Sequence, residues 1–100
     1  MIFARVTGTV VSTLKDPKLT GTKLLLVQPV DLSGAAKGNP IVAVDSVGAG
    51  EGEMVLLVQG SSARQTSRTK DCPVDAVIFA IVDTVEREGK TVFQKARETA

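Results

Sequence analysis

The sequence predicts an all-β fold, a small closed or nearly closed barrel with one short helical turn. Five or six aliphatic and β-branched runs are separated by Gly, Pro and Asp turn signals, and no stretch has the periodicity of a long amphipathic helix. A chain of 100 residues has room for one compact domain, which we assign to residues 1–100. A five-stranded, OB-like barrel fits this length and this number of runs.

The first two predicted strands form a hairpin with a long loop. Alternation over residues 2–11 predicts a half-buried strand. Its core-facing residues would be Ile2, Ala4, Val6, Gly8 and Val10. Residues 12–22 contain Asp-Pro and Gly turn signals, and residues 23–30 resume as an apolar strand that should pair with the first.

Two further strands are predicted in the middle of the chain, at residues 41–47 and 54–59. Three glycines lie between them, within residues 48–53, and glycine permits the positive φ of a tight reversal. We therefore predict a second hairpin, in which Gly48 and Gly50 do not tolerate valine. Residues 31–40 have the small and turn-forming residues of a surface loop.

The second half of the chain begins with a polar segment at residues 61–71, which predicts the short helical turn. Residues 76–85 are almost wholly apolar and predict another strand. Residues 86–90 predict a turn into a short strand at 91–93, and residues 94–100 form a polar tail.

The residues that carry catalytic chemistry are too few for a usual active site. The chain has no histidine and one cysteine, Cys72. This excludes the usual zinc sites, the Ser-His-Asp and Cys-His arrangements and any intramolecular disulfide. We therefore predict no enzyme activity, no cofactor and no metal.

Charge and hydropathy also limit the partners. Lys and Arg number 12 against 11 Asp and Glu, so a net charge of +1 provides no field that would attract nucleic acid or an anionic membrane. No apolar run approaches the roughly 20 residues that cross a bilayer. The first residues lack the order of a signal peptide, and we expect a protein of the reducing cytoplasm.

The carboxylates of this chain are interpreted as structural or solubilising. Two pairs lie beside glycines in predicted turns: Glu51 with Glu53, and Glu86 with Glu88. Carboxylates in solvated turns keep their ordinary acidity, so we interpret both pairs as surface charge. Three others lie in or beside apolar strands: Asp45, Asp75 and Asp83. We expect these three to bond backbone amides at strand ends or a neighbouring subunit.

Several stretches, in a fixed order along nearly the whole chain, resemble the EutN/CcmL family of bacterial microcompartment vertex proteins. The first comprises Gly8-Thr9-Val10-Val11-Ser12-Thr13, Lys15, Leu19, Gly21 and Lys23-Leu24-Leu25-Leu26. The second comprises Val42-Ala43-Val44-Asp45-Ser46-Val47-Gly48-Ala49-Gly50, Gly52-Glu53 and Val55-Leu56. The third comprises Gly60-Ser61-Ser62-Ala63-Arg64, Pro73-Val74-Asp75-Ala76 and Ile81-Val82-Asp83.

The resemblance implies a structural protein with an OB-like barrel that assembles as a ring. In that family the ring is a homopentamer, which caps the five-fold vertices of a polyhedral protein shell. The implied partners are the hexameric and trimeric proteins that form the rest of the shell. The implied location is the microcompartment shell in the bacterial cytoplasm.

A pore or interface role is predicted for Gly60, Ser61, Ser62 and Arg64. The segment follows a predicted strand, and its first residues are small enough for five copies to approach an axis. Its amides and hydroxyls are donors without obvious local partners. The resemblance supports this location, and a tight interface loop with no transport role is the alternative.

The other function considered is single-stranded nucleic-acid binding, which OB-like barrels support with aromatic stacking platforms and a basic groove. The chain has no Trp or Tyr, and its three aromatic residues, Phe3, Phe79 and Phe93, must also serve the core. Its basic residues are nearly balanced by acids. Composition therefore disfavours this function.

Overall fold

A computed structural model describes residues 1–13, 17–19, 21–66, 69–70 and 74–95. Within them the strands are β1 Ile2–Val10, β2 Lys23–Pro29, β3 Ile41–Asp45, β4 Met54–Gln59, β5 Ala76–Ile81, β6 Thr84–Arg87 and β7 Lys90–Gln94. Two 3₁₀ helices span Pro17–Leu19 and Gly60–Gln65. Cys72 and the last five residues of the predicted tail lie outside the described residues.

Five of these strands close into a barrel in the order β1-β2-β3-β5-β4, and β6 and β7 form a separate two-stranded sheet. The pair β3–β5 is parallel, whereas the other barrel pairs are antiparallel. The predicted all-β, five-stranded barrel and the predicted helical turn at the start of the 61–71 segment are thereby confirmed.

The predicted central hairpin is wrong, because β3 and β4 are not neighbours in the barrel. β3 pairs with β2 and with β5, while β4 pairs with β1 and β5. Both edges of each strand are therefore occupied by other strands. The glycine-containing segment 46–53 connects β3 to β4 without joining them as a hairpin.

The alternation predicted for β1 holds only in its first half. Ala4 and Val6 face the barrel interior and are buried. A β-bulge then adds Thr7 to this strand, which shifts its pairing with β2 by one residue. Because side chains alternate along a strand, Gly8 and Val10 leave the interior face and point outward.

The long apolar run predicted at residues 76–85 is divided between two strands. β5 ends at Ile81, and the backbone N–H of Val82 donates to the Met54 carbonyl at 2.8 Å. The chain then enters β6, which pairs with β7 through a turn at Glu88 and Gly89. The turn predicted at residues 86–90 is therefore confined to Glu88 and Gly89, and the strand that precedes it, β6, lies outside the barrel.

Among the described residues, three clusters of hydrophobic side chains hold the fold together. The barrel interior contains Ala4, Val6, Leu25, Val27, Ala43, Ala49, Val55, Leu57, Ala76 and Ile78. The second cluster joins the barrel to the β6–β7 sheet and contains Val30, Met54, Val82 and Phe93, with Phe3, Leu56 and Val85 beside them. The third lies under the Gly60–Gln65 helix and contains Val44, Ala63 and Val77, with Leu24, Val58 and Val74 beside them.

Asp45 organises the turn that follows β3. Its Oδ1 atom accepts hydrogen bonds from the backbone N–H groups of Val47 and Gly48 at 3.1 Å and of Ala49 at 3.2 Å. Gly48 adopts a φ of +78°, which side chains rarely tolerate. Asp45 is 8% exposed, so the expectation that it bonds backbone amides at a strand end is confirmed.

Glu53 differs from the solvated turn charge predicted for it. It accepts a hydrogen bond from the Gly50 backbone N–H at 2.7 Å and forms an ion pair with Lys95. The bond from Lys95, followed by that from Gly50, lowers the pKa of Glu53, and the bond to Glu53 raises the pKa of Lys95. Lys95 follows β7, so this pair ties the barrel to the β6–β7 sheet, whereas Glu51 is exposed as predicted.

We predict that Asp45→Ala destabilises the protein by about 1–3 kcal/mol, because three backbone amides of the turn, one of them buried and two partly buried, lose their acceptor. Asp45→Asn should cost less, since an amide oxygen can still accept. Urea unfolding at fixed protein concentration measures both. Asp75→Ala is the matched control, because the Asp75 side chain is exposed. Equal losses in the Ala and Asn variants would contradict an acceptor role for Asp45.

We predict that Glu53→Gln lowers the melting temperature at neutral pH and has less effect in acid. The folded pKa of Glu53 lies below the ordinary value of 4.5 for a glutamate, so its stabilisation is present above that value and is lost as the pH falls through the folded pKa. Lys95 stays charged throughout this range, because its pKa is raised from 10.5. Thermal melts from about pH 7 to about pH 3 test this, with Glu51→Gln as control. A difference that persists unchanged in acid would contradict the ion pair.

Candidate functional site: the Gly60–Gln65 segment

The candidate segment begins with a sharp change of direction at the end of β4. Gln59 is extended, with a φ of −132° and a ψ of 167°, whereas Gly60 has a φ of +66°. The left-handed backbone of Gly60 favours glycine, because a β-carbon would clash with its own chain. The Gly60 N–H donates to the Asp75 carbonyl at 2.8 Å, which ties the turn to the residue before β5.

Ala63 anchors the 3₁₀ helix to the barrel. Its side chain is fully buried and packs with Val44 of β3 and Val77 of β5. Arg64, the next residue, is exposed, but its guanidinium Nη1 donates to the Val74 carbonyl at 3.1 Å. The small alanine lets the helix lie close to the sheet, and the arginine ties it to the chain approaching β5.

A threonine that the sequence prediction did not single out completes the anchor. Thr69 is 1% exposed, and its hydroxyl donates to the Ala63 carbonyl. Its backbone N–H donates to the Thr66 hydroxyl at 3.1 Å, and the two hydroxyl oxygens lie 2.6 Å apart. The three-residue spacing of two threonines in a polar run is the signal for such a turn.

The anchors leave the first turn of the helix at the surface. Ser61 and Ser62 are both exposed, next to the buried Ala63. Three of the four predicted site residues, Ser61, Ser62 and Arg64, therefore lie together on one exposed turn, and Gly60 supplies the backbone that positions it. The arrangement offers small hydroxyl groups and one guanidinium to whatever adjoins this surface.

The described residues offer little other chemistry. Among them, no group of three His, Cys, Asp or Glu side chains could hold a metal ion. The described part of the chain also has no helix both long enough and apolar enough to span a membrane.

The aromatic side chains mostly serve packing. Phe93 is 8% exposed and lies in the second cluster, where the Arg5 guanidinium carbon is 5.9 Å from its ring centroid. Phe3 packs against the same cluster, and Phe79 is half-buried. Stacking of single-stranded bases requires exposed ring faces, so this distribution does not support the nucleic-acid alternative.

Known proteins with the same fold and related sequences identify the family. The sequence model of the family described as "Ethanolamine utilisation protein EutN/carboxysome" matches residues 1–83. The chain is 50% identical over 95 residues to the bacterial microcompartment shell vertex protein EutN of Salmonella typhimurium, which covers 95% of this chain and 96% of that protein.

Solved structures extend the likeness to three dimensions. The structure of CcmL from Nostoc sp. matches with a TM-score of 0.89 and 50% identity, and the match covers 95% of this chain and 100% of the CcmL chain. A pentameric microcompartment shell protein, GrpN from Rhodospirillum rubrum, has a TM-score of 0.78 and 47% identity, covering 87% of this chain and 99% of that one. With the barrel topology, the resemblance noted from the sequence is confirmed: the chain belongs to the EutN/CcmL family.

Proposed function

We propose that this chain is a structural shell subunit, not an enzyme, which assembles as homopentamers that cap the vertices of a bacterial microcompartment. The observation that carries the proposal is likeness over nearly the whole chain to a shell vertex protein, at 50% identity over 95% of the residues. The likeness to a pentameric shell protein supports the ring of five.

The physical character of the barrel agrees with a role based on surfaces. Aliphatic side chains fill its interior, and the sequence contains no histidine and a single cysteine. A domain of this size has a modest core, so association with further copies would add to its stability. The five barrel strands have no free edge, so the barrel itself contacts neighbours through side chains and loops, whereas the separate β6–β7 sheet keeps its edges.

In the shell, the proposed neighbours are hexameric and trimeric shell proteins, which would adjoin the sides of the pentamer. The proposed location is the bacterial cytoplasm, where microcompartments enclose their enzymes. Relatives named as shell vertex proteins support this assignment.

We predict that the purified protein has five times the 10.5 kDa mass of the chain. Native mass spectrometry at micromolar concentration measures this mass directly. The expected species is a pentamer whose melting temperature rises with protein concentration, because association stabilises the folded subunit. A dominant monomer or dimer would contradict the proposal.

The Gly60–Gln65 segment is proposed to border the opening on the five-fold axis. Gly60, Ser61 and Ser62 would line or border it, and Arg64 would lie close behind at the subunit interface. Supporting this, the two serines are exposed on a turn whose position is set by the buried Ala63. Five copies of such small polar groups would form a narrow, hydrated passage.

We predict that Ser62→Trp narrows this opening or weakens the ring, because five indole groups would meet near the axis. The control is Ser33→Trp, since Ser33 is an exposed serine in the 31–40 loop. A structure of each variant ring and its native mass measure the effect. An unchanged opening in the Ser62 variant, or closure by the Ser33 variant, would contradict the assignment.

A further inference from the structure

Two rows of side chains cross the outside of β1, β2 and β3. Strand register pairs each residue with its neighbours, and paired residues share one face of the sheet. The rows are Gly8 with Leu26 and Val42, and Val10 with Leu24 and Val44. They face outward, because the alternate residues Leu25 and Val27 are buried inside the barrel. We call these six residues the outer face.

The bulge in β1 makes this face continuous. If Thr7 were paired regularly instead of bulged, Gly8 and Val10 would point into the barrel, and the outward positions of β1 would fall to polar Thr7 and Thr9. The Thr7 hydroxyl donates to the Leu26 carbonyl at 3.3 Å, on the neighbouring strand. Bulges commonly re-aim side chains at functional surfaces, and here the result is apolar contact area on three adjacent strands.

The outer face is exposed where it is farthest from the 3₁₀ helix. Val42 is 48% exposed and its paired neighbour Leu26 is half-buried, whereas Leu24 packs beside the third cluster, under the helix. At the other side, Val44 is 2% exposed because Ala63 and the helix cover it. The face therefore runs from open surface directly up to the Gly60–Gln65 segment.

Composition favours protein contact on this face. All six residues are uncharged and apolar, while charged residues make up 23% of the chain. Depletion of charge is typical of the centre of an interface, and contiguous exposed apolar surface marks contact sites. β-branched and leucine side chains on a rigid sheet also lose little entropy when a partner covers them.

We propose that the outer face is the surface through which one subunit contacts the next copy in the ring. The inference rests on the proposed function and deepens it. A relative 47% identical to this chain is a pentameric shell protein, which supplies the second copy as the occupant. The face is also continuous with the segment proposed to border the axis, where adjacent subunits of a ring approach one another. Because the ring is cyclic, the outer face of one subunit meets a different surface of the next subunit.

The test compares two valines of similar exposure. Val42→Asp places a carboxylate on the outer face, where water solvates it in the monomer but a neighbouring subunit would bury it. The control is Val92→Asp, on the outward side of β7, where the native valine is 42% exposed. We expect Val42→Asp to raise the concentration needed for pentamers by roughly tenfold or more, and Val92→Asp to leave it unchanged. Native mass spectrometry over a dilution series measures both.

Circular dichroism establishes that each variant is folded. Val42→Thr is the second variant, because threonine keeps the size and strand preference of valine and replaces one methyl group with a hydroxyl. It should shift assembly in the same direction by a smaller factor. If the pentamers of both Val42 variants resist dilution as well as the wild type does, the assignment of the outer face is overturned, and the proposed function is not. Equal losses in the two Asp variants would do the same. A monomeric wild type would overturn the proposed function together with it.

Discussion

Each barrel strand is hydrogen-bonded on both edges, and the remaining features depend on that closure. β1 pairs with β2 and β4, and β5 pairs with β3 and β4. Closure encloses the aliphatic interior and leaves the barrel strands no free edge for association by strand addition, whereas β6 and β7 each keep one. It also makes the exterior available for contacts: one part is covered by the β6–β7 sheet, another by the Gly60–Gln65 helix, and the outer face of β1–β3 adjoins the helix at Val44.

The barrel strands could be predicted from the sequence because their signals are local. Aliphatic runs, alternation and glycine-containing turns place the strands nearly where they lie, and β4 has the predicted bounds. The partners of β3 and β4 could not be predicted this way. A glycine-rich loop between two consecutive strands has the same sequence signals whether the strands pair as a hairpin or lie apart with another strand between them. Which strands pair is decided by closure, a property of the whole sheet.

The site was predicted where it depends on residue size and was missed where it depends on distant contacts. Ser61 and Ser62 are small and exposed as expected, and Gly60 adopts the positive φ that glycine permits. Thr69 was missed, because its role depends on a hydrogen bond from its hydroxyl to the Ala63 carbonyl, six residues earlier in the chain. Glu53 was misread for the same reason, since its partner Lys95 lies in the polar tail and reaches it only in the folded chain.

The seam between β1 and β4 has a consequence for the order of folding. β1, β2 and β3 pair with chain neighbours, whereas the seam joins Ile2 to Leu57 across most of the barrel sequence. Closing that long loop costs chain entropy before the contacts of the seam can form. Topologies dominated by such non-local contacts fold slowly. A three-stranded meander that formed before the seam would expose its interior side and its outer face together. A subunit in that state would be prone to aggregate, and closure would bury its interior side and leave the outer face for contacts between subunits.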